Sequence, residues 1–144
     1  MNAWSLEYSF RVDADNGLIY AKIHGMWKAE TAKGYHEDFK AEVAPLLGNP
    51  WAKLVDLSNW RTSYPEVSGI IGRHMAWSRQ NGCVLSVYVL NNPSTFRQLN
   101  QMFSKGGIKE VAVTFRTMAE AEKHIRENWI ARRGTGPAQP RDIC

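Results

Sequence analysis

The chain has 144 residues, 44% of them apolar, with six tryptophans and a formal net charge of +4. That is the size of one ordinary domain with enough apolar side chain for a core, and it excludes a disordered chain. No apolar run approaches the roughly 20 residues that span a bilayer, Met1–Phe10 lacks the layout of a signal peptide, and Cys83 and Cys144 are too few for a disulfide framework, so a cytoplasmic protein is expected.

In the first predicted strand Trp4, Leu6, Tyr8, Phe10 and Val12 alternate with Ser5, Glu7, Ser9 and Arg11. Asp13–Gly17 holds an Asn-Gly pair, a favoured hairpin turn because both residues tolerate positive φ. A second strand over Leu18–Gly25 therefore runs back antiparallel. From Ala29 to Leu47, Ala32, Tyr35, His36, Phe39, Val43 and Leu46 recur at helical spacing, and Gly48-Asn49-Pro50 ends that helix.

The third strand is read over Ala52–Leu57. Ser63-Tyr64-Pro65-Glu66 then reads as a capping box opening a helix whose buried face is Val67, Ile70, Ile71, His74 and Trp77 or Ser78. A strand over Cys83–Leu90 follows. Asn92-Pro93 opens the third helix, with Phe96, Leu99, Met102 and Phe103 as its stripe and Gly106-Gly107 as its stop. The fifth strand covers Glu110–Phe115, and Thr117-Met118-Ala119-Glu120 is a second capping box. The last helix buries Met118, Ala121, Ile125 and Trp129.

This order, ββαβαβαβα, predicts an α/β fold: a five-stranded, mostly parallel sheet opened by a β-hairpin, with four helices. One domain over residues 1–131 is expected, followed by a flexible tail over 132–144.

Charge is uneven, with a balance of −2 over residues 1–50 and +6 over 51–144. The cations of the second half are spread over different elements, so a solvated surface is expected and nucleic-acid binding is not. The four histidines show no metal-ligand spacing, and no nucleophile elbow or phosphate loop follows a strand. Catalytic residues, metal and cofactor are therefore all expected to be absent. His74, on a buried helical face, reads as a hydrogen-bonded core residue, and Cys83 as a small hydrophobe. Ser68-Gly69 and Gly72 lie within a helix and point to close packing.

Three local patterns resemble the STAS domains and, more closely, the bacterial SpoIIAA-like group. Leu54-Val55-Asp56-Leu57-Ser58 is similar to the hydrophobic-Asp-hydrophobic-Ser end of the third strand in STAS proteins. Asn92-Pro93 resembles the turn opening the third helix of the SpoIIAA-like group. Phe115-Arg116-Thr117 with Glu120-Ala121 and Trp129 resembles that group's ending. The resemblance covers Trp4–Trp129 and implies the fold already drawn. Regulatory STAS domains open the second helix with Asp-Ser-Ser/Thr-Gly, which carries a phosphorylatable hydroxyl. Here that place reads Tyr64-Pro65-Glu66-Val67, so a phosphorylation switch there is not expected.

The expected function is a non-enzymatic binding or regulatory module that acts on a protein partner or a small anionic or hydrophobic ligand. Its site is expected where the third strand hands over to the second helix, since open sheets place ligands at the carboxyl ends of strands. Arg61 and a helix amino terminus would favour an anion, and Trp60 and Tyr64 would form an apolar wall. Asp56, Ser58 and Glu66 complete that segment, and Asn91 and Asn92 would line the same crevice. Two alternatives stand beside this: a carrier or sensor of a hydrophobic or acyl ligand, and a hydrolase-like enzyme using His74 with Ser68, Tyr64 or Glu66. Trp27 and Trp51 are expected to be exposed, forming a patch for a partner or a homodimer.

Overall fold

Period-two alternation places apolar side chains on both faces of a central sheet. The computed structural model describes residues 7–108 and 111–133. Its strands are β1 (Tyr8–Asp13), β2 (Leu18–Trp27), β3 (Trp51–Ser63), β4 (Cys83–Val89) and β5 (Ala112–Phe115). They lie side by side in chain order, β1 antiparallel to β2 and every later pair parallel. The helices are α1 (Ala29–Val43), α2 (Glu66–Gln80), α3 (Pro93–Gly106) and α4 (Met118–Ile125); α4 continues through a wider π-type turn at Arg126–Ile130 to Arg133. The predicted class, element order and hairpin are all observed.

Each crossover steps one strand in the same direction, so right-handed connections lay α1, α2 and α3 on one face. Ile19, Ala21, Ile23, Trp51, Val55, Leu57 and Tyr88 meet those helices in the main core. The opposite parity, Leu18, Ala52, Leu54, Val87 and Val89, meets Ala121, Ile125 and Trp129 of the last helix in a second, smaller core.

Short polar contacts set the turns. Asp13 accepts from Asn16 N at 3.2 Å and Asn16 Nδ2 at 2.8 Å, and Gly17 takes φ of 61°, where a Cβ would meet the Arg133 guanidinium at 2.7 Å. The expected close packing is found where α2 crosses α3: a Cβ at Gly106 would lie 2.7 Å from Gly72 O, and one at Gly72 would lie 2.7 Å from Lys105 Cβ. Asn92 and Thr117 cap α3 and α4, accepting from Ser94 N at 2.9 Å and Glu120 N at 3.2 Å.

Four expectations need correction. First, β3 runs six residues past Leu57. Gly25–Trp27 supply a parallel ladder to Trp60–Ser63, and the bulges beside His24 and Gly25 reset the register, so a polar segment that reads as a loop is a strand. Second, Ser63 is the end of that strand and not a helix cap; Pro65 precedes α2 with no side-chain cap. Third, Trp27 and Trp51 are buried, as are Trp60 and Trp129, each with its indole N–H donated to a nearby acceptor, so the tryptophans among the described residues form no exposed patch. Fourth, Phe96 is exposed although it shares the helical period of α3's core stripe.

Arg132 and Arg133, expected in the tail, are helical. Trp4, Leu6, Lys109, Glu110 and the tail from 134 onward, with Cys144, lie outside the described residues.

Candidate functional site

The last β4 residue in register with β3 is Val89, opposite Asp56. Beyond that point β2 and β3 continue as a two-stranded arm above the carboxyl edge of the sheet. Asp56 Oδ1 closes a local turn at the base of the arm, accepting from Ser58 N at 3.0 Å and Ser58 Oγ at 2.6 Å. Trp60 points inward and donates its indole N–H to Ser63 Oγ at 3.0 Å. Gln98 of α3 latches the arm: its Oε1 accepts from Ser63 N at 3.1 Å and its Nε2 donates to Thr62 Oγ1 at 2.9 Å. The outer side of the arm carries the rest. Arg61, Glu66, Tyr64 at 47% and Met26 at 51% are all exposed.

Asn91 and Asn92 do not share that ridge. They line a surface groove of about 570 Å³ at the ends of β4 and β5, with Leu90, Phe96, Phe115, Arg116 and Glu120. The amino termini of α3 and α4 both open onto it, and Asn92 is occupied in capping the first. Arg116 and the two helix ends favour an acceptor-rich visitor, while Phe96 at 41% exposure offers apolar area. The predicted set therefore divides. Arg61, Tyr64 and Glu66 form a ridge, Asn91 and Asn92 belong to an adjacent groove, Asp56 and Ser58 form the turn between strand and arm, and Trp60 is withdrawn into the core.

The interior holds what sequence reasoning missed. Lys53 is buried in β3 among apolar neighbours, its Nζ 3.4 Å from Ser78 Oγ and 5.4 Å from the Phe39 ring centre. Its parity with Trp51, Val55 and Leu57 was the available signal: a lysine on the inward side of a strand with no outward escape. Burial pushes its pKa down. His74 is also buried, as expected, and its Nδ1 lies 2.8 Å from His36 Nδ1. Burial holds His74 well below the ordinary imidazole value, with Lys53 and His36 adding to the effect. Among the described residues His74 Nε2 finds no hydrogen-bond partner, and the Tyr88 hydroxyl has only the neighbouring Ser86 hydroxyl to interact with.

This arrangement disfavours the hydrolase-like reading. His74 makes its hydrogen bond to His36 and none to Ser68, Tyr64 or Glu66, and it lies in the core rather than at an open crevice. Cys83 is buried, burial raises its pKa, and its Sγ lies 3.4 Å from Ser86 Oγ, as suits a core thiol. Among the described residues there is no cluster of potential metal ligands. Among the described residues no helix is long and apolar enough to cross a membrane.

No protein-family model and no curated protein matches the sequence. Solved structures do match in shape. A DUF3478-family protein with a SpoIIAA-like fold from Shewanella loihica superposes with a TM-score of 0.59 at 9% identity, covering 85% of this chain and 97% of that one. An anti-sigma factor antagonist from Mycobacterium paratuberculosis gives 0.56 at 19% identity, covering 83% and 95%. The anti-sigma factor antagonist SpoIIAA in its unphosphorylated form gives 0.54 at 11% identity, covering 83% and 97%. The chain has the SpoIIAA-like fold that its sequence motifs suggested.

Proposed function

We propose that this chain is a non-enzymatic regulatory module that docks a protein partner on the carboxyl edge of its sheet. The observation that carries this is the pairing of an exposed ridge (Met26, Arg61, Tyr64, Glu66) with the groove lined by Asn91, Asn92, Phe96 and Arg116. The amino-terminal half of α3 stands between them. Aromatic, methionine and arginine side chains are the types enriched at protein interfaces, and here they are gathered at one end of the molecule. Two matched structures of this fold are anti-sigma factor antagonists, proteins named for acting against another protein. The internal cavity of about 40 Å³ falls below the ~300–1,000 Å³ of ordinary small-molecule pockets, which weighs against the acyl-carrier reading.

The test is site-specific photo-crosslinking in the native host. A photoreactive residue at Tyr64 is expected to capture one defined protein, whereas the same probe at exposed Val84, at the start of β4, is not. With that protein purified, the double variant Tyr64→Ala/Phe96→Ala is expected to bind at least tenfold more weakly at unchanged circular dichroism. Equal capture from both positions, or unchanged affinity, rejects the docking surface.

A further inference from the structure

Three buried polar side chains from three elements converge on one small cavity. Lys53 of β3, His74 of α2 and Tyr88 of β4 line a space of about 40 Å³, whose remaining wall includes Val55, Leu57, Val67, Ile71, Leu99 and Met102. Relative exposures are 2% for Lys53, 1% for His74 and 2% for Tyr88. Buried polar groups are almost always paired, and leaving one unpaired costs the full desolvation of that group. Here His74 Nε2 has no partner among the described residues, the Tyr88 hydroxyl has only the neighbouring Ser86 hydroxyl to interact with, and the third is an amine with no carboxylate beside it. No carboxylate pairs with Lys53 among the described residues.

The chemistry of what would satisfy them follows from a donor count. An ammonium has three N–H donors and no acceptor, and a tyrosine hydroxyl donates one. The partner Lys53 has within the protein is Ser78 Oγ, at a long 3.4 Å, and that hydroxyl in turn donates to His74 O at 3.1 Å. The faces of Phe39 and Tyr88, 5.4 Å and 6.0 Å from Nζ, compensate part of the charge. Donors therefore outnumber acceptors around the cavity, and the net charge there is positive or zero, never negative. A neutral water accepts but leaves the charge uncompensated; an anion does both. The volume limits the occupant to about three heavy atoms, given the roughly 10–15 Å³ of such space that one water needs. The apolar wall excludes ions that keep a hydration shell.

We propose that this cavity is a binding site for a small monovalent anion, a halide or formate, held by Lys53 Nζ and the Tyr88 hydroxyl with His74 Nε2 as the third contact. The site lies beneath Trp60 and the Gln98 latch, separate from the docking ridge outside.

The test holds ionic strength constant and exchanges sodium gluconate, too large to enter, for sodium bromide or sodium formate. Wild-type protein is expected to show a saturable rise in Tm of several degrees, with a parallel change in tryptophan fluorescence, because Trp27 and Trp60 line the same space. Lys53→Met and Tyr88→Phe are each expected to weaken the response at least tenfold, and Lys33→Gln on the exposed side of α1 is expected to leave it intact. Tyr88→Phe keeps the ring, so it remains informative if the lysine variant fails to fold. A bromide-soaked crystal is expected to give an anomalous peak between Lys53 and Tyr88. No saturable response in the wild type, equal responses in all variants, or bromide peaks on the surface alone (an adventitious ion only) would each overturn the proposal.

Discussion

His36 and His74 face each other with Nδ1 atoms 2.8 Å apart, so one must donate and the other accept, and neither role survives protonation of both rings. Burial lowers both below the ordinary imidazole value. Lys53 adds to this at both rings; at His36, Lys40 acts in the same direction and Glu37 opposes it. In the unfolded chain each ring takes up its proton near pH 6.5, so below that pH the unfolded state binds more protons than the folded one. The pair's contribution to stability is therefore expected to be level above pH 6.5 and to fall as the pH drops below it. Urea unfolding at pH 7.5 and 5.5 checks this; His74→Gln should lower the starting stability yet flatten the slope, and an unchanged slope would remove the pair from the explanation. Trp60 gives a second residue-scale outcome. Because it is core, Trp60→Ala is expected to cost ~3–5 kcal/mol of stability rather than act selectively on partner binding.

At the scale of elements, the two informative contacts are those that α3 makes. Where it crosses α2, Gly72 and Gly106 let the backbones approach, and no flexible side-chain end is available to yield. Gly106→Ala is expected to destabilise by ~1–3 kcal/mol through overpacking, read by chemical denaturation. At its other end Gln98 holds the β2–β3 arm. Gln98→Ala removes bonds to Thr62 and Ser63 and is expected to cost about 1 kcal/mol. Faster amide exchange should then be confined to residues 60–63 and their β2 partners; uniform exchange across the sheet would show that the latch is not local. These contacts explain why β3 is misread from sequence. Ser58, Asn59, Arg61 and Thr62 carry no apolar alternation, and their strand geometry comes from β2 alongside and α3 above.

For the whole molecule, the two faces of the sheet are closed by different means. Three crossover helices cover one face, while the last helix returns across the other and ties its far end to the hairpin through Trp129 Nε1 and Asn16 O at 2.7 Å. Trp129→Phe keeps most of the apolar area and removes that bond, with an expected loss of about 1 kcal/mol and a single cooperative transition. In this layout helix amino termini meet the carboxyl edge of the sheet, and the proposed docking ridge and groove both lie there.

Local physics already present in the chain determined much of this protein. Period-two alternation placed β1 and β2, continuous apolar runs placed the cores of β3, β4 and β5, Asn16-Gly17 the hairpin, and Asn92 and Thr117 the starts of two helices, because strands, turns and caps depend on neighbours a few residues away. Right-handed crossovers then leave few topologies open, so the mostly parallel sheet followed as well. What depends on residues far apart in sequence was decided only on folding. The extension of β3, the inward turn of Trp60, the separation of Asn91 and Asn92 from Arg61 and Tyr64, and the meeting of Lys53, His74 and Tyr88 around one cavity all arise from side chains brought together by the sheet. No spacing along the chain encodes them, since each contact joins separate elements whose register is set by packing.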